Sequence, residues 1–234
     1  MYLSSVRVDL NALTREQLFD VLEGGAYTAH QLLWQLFADT PGEERPFLFR
    51  QEMEESANGQ SAGLPRFYVL SSRPPGSVEG LDVQCKPFAP QLEKGDRLAF
   101  RLRANPTIDK ATEKGRRSHR ADVLMDARKP FSPGERTSQA CVEAMDSAAR
   151  QWLSRRVDTL GFTLPVTPEV GAYRQHVLSK KGGANPIRYS SVDYEGLLDV
   201  NDPARLSETL AHGIGRAKAF GCGLLLLRRV TGEV

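Results

Sequence analysis

Apolar and polar residues alternate with a period of two in two parts of the chain, around residues 6–10 and 97–103. This period is typical of β-strands that have one buried and one solvent-facing side. Other apolar or aromatic runs also have strand character, and they are bounded by glycine, proline and small polar residues. These runs are "RPFLFRQEM", "PRFYVLSS", residues 81–86, "FTLPV", "YRQHVLSK", "PIRYSSVDYEGLLDV" and "GCGLLLLRRV".

Three segments have the three-to-four-residue apolar period of an amphipathic helix. The first extends over residues 14–37, with an interruption at two adjacent glycines, and the second is "SQACVEAMDSAARQWLSRRVDTLGF", closed by Gly161. The third, "NDPARLSETLAHG", has Asp202 at the cap, Pro203 at the first helical position and Gly213 at the end. Aspartate caps, proline starts and glycine ends are the usual helix boundaries, so this segment predicts a helix with defined limits.

The order of these elements divides the chain into two similar halves. The first reads β, α, β, β, turn, β, and the second reads β, loop, α, β, β, α, β. This order predicts an α+β protein with tandem ferredoxin-like (RRM-like) domains and antiparallel sheets. We expect the domains at residues 1–90 and 95–234, joined by a proline-containing linker at 87–96. Residues 107–134 have little periodicity, which predicts a long loop that orders only against a ligand.

Charge is unevenly distributed along the chain, although the net charge is only +2. Residues 97–129 contain ten lysines and arginines against four acidic residues, whereas acidic residues concentrate at 39–55 and 195–208. A basic face of this kind suits a nucleic acid partner. Charge counting alone favours a solvated basic loop equally.

Several classes of protein are disfavoured by composition. The chain has no apolar stretch of about 18 residues that would span a bilayer, and its start lacks the features of a secretory signal. Cys85, Cys141 and Cys222 form no close pair, and no two of the four histidines have metal-ligand spacing. We therefore expect a cytoplasmic protein with reduced thiols, no metal site and no cofactor.

A glycine-rich segment, "GIGRAKAFGCGLLLL", lies between the third helix and the last strand. Glycines let a backbone approach a phosphate closely, and Arg216 and Lys218 would then supply charge. The segment is neither a Walker loop nor a dinucleotide-binding fingerprint, because no GK[ST] follows and the helix precedes it. The glycines taken alone favour a tight helix-to-strand connection.

Four segments spread over the chain make the sequence resemble the CasE family, the endoribonuclease that processes CRISPR repeat RNA in type I-E systems. They are "MYLSSVRV", "YTAHQLLWQLF", "FRLRANP" and "GIGRAKAFGCGLLLL". The resemblance implies two ferredoxin-like domains that bind the repeat stem-loop and cleave at its 3′ base without metal. It also implies 2′,3′-cyclic phosphate and 5′-hydroxyl ends, retention of the mature guide RNA, and assembly with other subunits of the Cascade complex.

The helix that contains "AYTAHQLLWQLF" places Tyr27, His30 and Trp34 on one stripe, with His30 at the margin of the apolar face. The apolar face itself consists of Ala29, Leu32, Leu33 and Leu36. A histidine titrates near neutrality and is suited to proton transfer in attack by a 2′-hydroxyl. Residues of this kind more often satisfy local hydrogen bonds, but the resemblance at Tyr-x-x-His favours catalysis by His30 and Tyr27. We interpret Trp34 as packing.

Nine cationic residues are predicted to contact RNA: Arg101, Arg103, Lys110, Lys114, Arg116, Arg117, Arg120, Arg216 and Lys218. The catalytic helix has Gln31 and Gln35 but no lysine, so the cation that neutralises the phosphate is expected on another element. Two other hypotheses stay open at this point. One is a non-catalytic RNA-binding subunit of a ribonucleoprotein, and the other is a small-molecule enzyme on the same fold.

Overall fold

A computed structural model describes residues 1–9, 12, 25–38, 45–55, 61–110, 119–171, 173–178 and 186–230. The predicted start of the first helix near Thr14 lies outside these residues, as do Lys114, Arg116 and Arg117. None of the helices within these ranges combines the length and the apolar character that crossing a membrane requires.

Tertiary contacts group the chain into two compact units that are not contiguous in sequence. The first contains Met1–Gln91, Ala211–Gly213 and Ala217–Leu224. The second contains Leu92–Leu210, Ile214–Arg216 and the residues from Leu225 onward. The glycine-rich segment therefore contributes residues to both units.

The first unit is built on a four-stranded antiparallel sheet with the strand order β2-β3-β1-β4. The strands are β1 (Tyr2–Val8), β2 (Phe47–Glu55), β3 (Ser61–Ser71) and β4 (Leu81–Pro87), and the helix α1 (Gly25–Gln35) follows β1. This order is that of a ferredoxin-like sheet, which confirms the predicted class. Residues 72–80 connect β3 to β4 without a helix.

Alternation along β1 determines which side of this sheet is buried. Val6 and Val8 lie in the core, and Val6 is flanked by Phe67 on β3 and Val83 on β4. The rest of the core comes from the apolar face of α1 and from aromatic residues of β2 and β3. Its other fully buried members are Ala29, Leu33, Leu36, Phe37, Phe47, Phe49 and Val69. Burying each large side chain contributes about 1.5–3 kcal/mol, so this cluster fixes α1 on the sheet.

The second unit repeats the plan around the central strands β11 and β5, in the order β10-β11-β5-β12. Its strands are β5 (Arg97–Ala104), β6 (Thr107–Lys110), β7 (His119–Asp122), β8 (Phe162–Thr163), β9 (Glu169–Val170), β10 (Arg174–Leu178), β11 (Ile187–Val200) and β12 (Leu225–Arg229). The short strands β8 and β9 also pair with β11, and all these pairings are antiparallel. The two predicted ferredoxin-like sheets are thus both present.

Helix boundaries in the second unit follow the predicted caps. The helices are α2 (Val123–Arg128), α3 (Gln139–Ser154), α4 (Val157–Leu160) and α5 (Pro203–His212). Asp202 caps α5, since its Oδ1 accepts a hydrogen bond from the Arg205 amide at 3.0 Å. Gly161 ends α4 with a φ of 86°. The single helix predicted up to Gly161 is divided into α3 and α4 by a turn at Arg155 and Arg156.

The prediction of a long loop at residues 107–134 is wrong for most of that segment. Strands β6 and β7 pair as an antiparallel hairpin, and α2 follows directly. Asp122 starts this helix, because its Oδ1 accepts hydrogen bonds from the amides of Leu124 at 2.8 Å and Met125 at 3.0 Å. Each element has only four to six residues, which is too short for a hydrophobic period to be recognised.

Candidate functional site

The helix α1 holds the predicted catalytic pair at the edge of the first unit's core. Ala29 and Leu33, on the inner face of this helix, are buried. Tyr27, one turn before His30, is 40% exposed, whereas His30 is only partly exposed. The Tyr27 side chain therefore lies in solvent. His30 lies at the boundary of the core, where the sequence predicted it.

His30 is held by Trp34, one turn later on α1. The indole Nε1 of Trp34 donates a hydrogen bond to Nε2 of His30 at 3.0 Å. Because Nε2 accepts, the neutral ring carries its proton on Nδ1. Nδ1 is buried and has no hydrogen-bond partner in the described residues. Trp34 also packs edge-on against Phe47, with ring centroids 5.6 Å apart, as its interpretation as a packing residue predicts. The hydrogen bond to His30 is a second role that this interpretation did not include.

The surroundings of His30 favour its uncharged form. Burial lowers the pKa of His30, and the positive charge of Arg45 lowers it further. A buried polar atom without a partner costs about 1–3 kcal/mol, and such atoms in native proteins are often functional. Nδ1 is therefore the nitrogen of the His30 ring that lacks a hydrogen-bond partner within the described residues.

Next to His30 the first unit has a pocket of about 330 Å³ that contains two cations, Arg45 and Lys218. Its lining also includes Phe47, whose ring centroid lies 6.2 Å from that of His30. Burial lowers the pKa of the Arg45 guanidinium. Burial is also the main cause that lowers the pKa of Lys218, and the charge of Arg45 adds to it. Two partly buried positive charges thus act on one another in this pocket.

Lys218 is the first residue of a tight 3₁₀ turn, Lys218–Phe220, within the glycine-rich segment. Ala217 before the turn and Gly221 after it have left-handed backbones, with φ of 56° and 81°. A Cβ added at Gly221 would lie 3.2 Å from Cε2 of Phe49, and one at Gly213 would lie 2.7 Å from Cδ1 of Leu48. These glycines are required by close packing, so the phosphate hypothesis depends on Lys218 and Arg216.

The two arginines predicted on β5 are paired with carboxylates of β11. Nε and Nη2 of Arg103 donate hydrogen bonds to the two carboxylate oxygens of Asp193, each at 2.8 Å. Arg101 lies 3.2 Å from Glu195 in an exposed pair. An RNA phosphate would have to compete with these carboxylates. Their role as RNA contacts stays a prediction.

Apart from Lys218, the other predicted RNA contacts within the described residues are also paired with carboxylates. Arg120 and Arg216 both bind Asp109, at 3.4 Å and 3.1 Å. Lys110 pairs with Asp126. Exposed pairs of this kind contribute little to stability and exchange readily for other anions. The structure brings Lys218, but neither Arg101 nor Arg103, into the unit that holds His30.

The remaining histidines have other surroundings. His176 stacks on Tyr189, with centroids 4.4 Å apart, and its Nε2 lies 2.8 Å from the Ser191 hydroxyl. His119 is exposed on β7, and His212 ends α5 at the rim of the pocket. Within the described ranges, no group of three or more histidine, cysteine, aspartate or glutamate residues converges as a metal site would.

Arg45 is the site residue that sequence reasoning missed. It precedes β2, and neither hydrophobic periodicity nor a sequence motif distinguishes it from other surface arginines. Only the folded chain brings it near His30 and Lys218.

Replacing Trp34 with phenylalanine is expected to raise the pKa of His30. Protonating Nε2 in the native protein sacrifices the indole hydrogen bond, and this penalty disappears with Trp34→Phe, whereas the charge of Arg45 remains. An NMR titration of the His30 ring measures the change. In the control Trp152→Phe, a different indole bond is lost, to the Thr107 carbonyl in the second unit, and the His30 pKa should not move. An unchanged or lower pKa in Trp34→Phe contradicts the assigned hydrogen bond.

Comparisons with known proteins agree over nearly the whole chain. A family model described as CRISPR associated protein matches residues 1–229. The chain is 30% identical over 207 residues to the CRISPR system Cascade subunit CasE of Escherichia coli K12, covering 86% of this chain and 90% of that protein. It is 35% identical over 152 residues to the CRISPR-associated endoribonuclease Cse3 of Thermus thermophilus, covering 60% and 59%. The structure of Thermus thermophilus Cse3 bound to an RNA representing a pre-cleavage complex superposes with a TM-score of 0.65 and 28% identity, covering 97% and 98%.

Proposed function

We infer that this protein, which belongs to the CasE family of CRISPR-associated proteins, is an endoribonuclease that processes CRISPR repeat RNA. Its relatives include a Cascade subunit and an endoribonuclease whose structure was solved with a pre-cleavage RNA. The observation that carries the inference is the partly buried His30, whose surroundings favour the uncharged ring and whose Nδ1 has no partner among the described residues. Its ring lies against Phe47, which lines a pocket with two cations.

The reaction that fits these groups is attack by a ribose 2′-hydroxyl on the adjacent phosphate. The 2′-oxygen forms a bond to phosphorus and loses its proton, while the bond from phosphorus to the 5′-oxygen breaks and that oxygen gains a proton. The products are a 2′,3′-cyclic phosphate and a 5′-hydroxyl. His30 performs one of the two proton transfers, since the ordinary pKa of an imidazole lies near neutrality. Its lowered pKa favours the uncharged ring, and the accepting nitrogen Nε2 must exchange its hydrogen bond from Trp34 for a group of the substrate. Tyr27, exposed one turn away, donates its hydroxyl hydrogen bond to a phosphate oxygen.

The protein is proposed to stay bound to the cleaved repeat and to enter Cascade in the cytoplasm with the mature guide RNA. The name of the Escherichia coli relative, a Cascade subunit, supports this assembly. RNA stems are bound mainly through shape and phosphates, because the A-form major groove is too narrow for side chains to read. The exposed cations of the β6–β7 hairpin, Lys110 and Arg120, suit such backbone contacts.

The experiment that tests this function uses the purified protein and the repeat hairpin from its own genome, with EDTA present. We expect a single cut whose upstream product ends in a cyclic phosphate, and no cut when the nucleotide before the scissile phosphate is 2′-deoxy. Mapping the ends also identifies the cleaved nucleotide. Tight binding without any cut overturns the enzymatic function and supports a non-catalytic RNA-binding subunit. A cut that persists in the 2′-deoxy RNA overturns the mechanism.

A further inference from the structure

We propose that Arg45 and Lys218 together bind the scissile phosphate, forming the cationic half of the catalytic site. This inference rests on the proposed function, because it assigns a substrate group to the pocket next to His30. The helix that carries His30 has no lysine or arginine of its own between Gly25 and Gln35. A positive charge for the phosphate must therefore come from another element of the fold.

Phe47 connects the two halves of this site. Its side chain lines the pocket that contains Arg45 and Lys218, and its ring lies 6.2 Å from the His30 ring. Its carbonyl accepts a hydrogen bond from Nε of Arg45 at 2.7 Å. This bond uses Nε, and the two terminal nitrogens of Arg45 have no partner among the described residues. They form a fork of donors, which suits two oxygens of one phosphate.

None of the described residues that line the pocket is acidic. Within the part of the chain that the structure describes, neither Arg45 nor Lys218 has a carboxylate partner. The arginines of the second unit differ, since Arg97 and Arg103 each bind a cross-strand aspartate through two nitrogens. Holding two cations together in a partly buried pocket costs free energy, and a bound phosphate offsets this cost.

The backbone positions Lys218 for this role. Its turn starts at Ala217, the one non-glycine residue with a positive φ in the described chain, at 56°. A left-handed alanine costs about 1–2 kcal/mol, and strain of this kind concentrates at functional sites. The end of the turn packs closely against Phe49 at Gly221. The backbone position of Lys218 is therefore fixed at both ends of the turn.

The two cations would act most strongly during the reaction itself. When the 2′-oxygen attacks, negative charge accumulates on the non-bridging oxygens of the phosphate. Donors that are already in position stabilise this charge more than that of the ground state. Loss of one such donor typically lowers a rate by about 10²–10³-fold.

The test compares Arg45→Gln and Lys218→Gln with the native protein, because glutamine keeps much of the side-chain length and removes the charge. Each variant is expected to lower the single-turnover cleavage rate about 100-fold, while affinity for the uncleavable 2′-deoxy repeat changes much less. The charge-preserving variant Lys218→Arg should retain most of the activity. Arg205→Gln, which removes one exposed partner of Asp202, is the control and should cleave at the native rate.

The outcomes separate this inference from the function on which it rests. If the native protein does not cleave, the proposed function fails. If the native protein cleaves but both glutamine variants match its rate, only the phosphate site fails. An equal loss of affinity and rate in both variants also overturns it, because that result indicates general RNA attraction. Should Arg45→Gln unfold in a thermal scan, Lys218→Gln decides alone, since the turn that holds it is set by the backbone.

Discussion

Alanine in place of His30 is expected to lower the single-turnover rate of repeat cleavage by about 10²–10⁴-fold, the range that a positioned proton-transfer group contributes. His30 is the histidine whose ring is fixed by an indole hydrogen bond, lies against Phe47 and has its pKa lowered by burial and by Arg45. Binding should persist, because RNA affinity depends mainly on phosphate contacts that this substitution leaves in place. The measurement is a quenched time course in EDTA, with affinity taken from the 2′-deoxy repeat.

His176→Ala is the matched control for this experiment. His176 is also partly buried, and its pKa is lowered by burial and by the charges of Arg103 and Arg174. It differs in lying on β10 of the second unit, stacked on Tyr189. We expect a cleavage rate within a few-fold of native. A His30→Ala protein that still cleaves within tenfold of native would show that another group transfers the proton.

Gly161→Ala is expected to destabilise the protein by about 2–5 kcal/mol. Gly161 has a φ of 86°, and an added Cβ would lie 2.5 Å from the Leu206 amide nitrogen and 2.6 Å from the Asp202 carbonyl oxygen. Both are backbone atoms at the start of α5, so the overlap cannot be relieved by rotating a side chain. The left-handed backbone costs about 1–2 kcal/mol with a Cβ, and the overlap adds about 1–3 kcal/mol.

Gly95→Ala separates these two costs. Gly95 lies in the same unit and has a similar φ of 96°, but an added Cβ there would meet nothing within 4 Å. This variant should therefore lose only the backbone part, about 1–2 kcal/mol. Thermal or urea unfolding of both variants measures the difference. Equal destabilisation of the two would mean that the start of α5 shifts to accept the methyl group.

The sequence predicts the larger elements because their signals are local. The caps of α5 at Asp202 and Gly213 and the alternation along β5 are visible within a few residues, and the structure has both. The hairpin and helix at residues 107–128 were missed, since a pair of four-residue strands is stabilised by its partner more than by its own pattern.

The candidate site likewise has residues that local spacing predicts and residues that it does not. Tyr27 and His30 share one helix, so their spacing alone places them on one side. The closeness of Arg45 and Lys218 depends on the turn of the glycine-rich segment packing beside β2, which no local pattern encodes. Arg103 shows the converse, because its strand pattern predicts an exposed cation and cannot reveal that Asp193 neutralises it from a strand far along the chain.

Residues 211–224 are divided between the two units, which limits how the first unit can be expressed as a separate fragment. A gene fragment that encodes residues 1–91 omits Ala217–Leu224, which belongs to the first unit. It would carry His30 but not Lys218, and it would lack the Gly221 that packs on Phe49. The first unit is therefore not encoded by one continuous segment, and a recombination point after residue 91 separates His30 from Lys218.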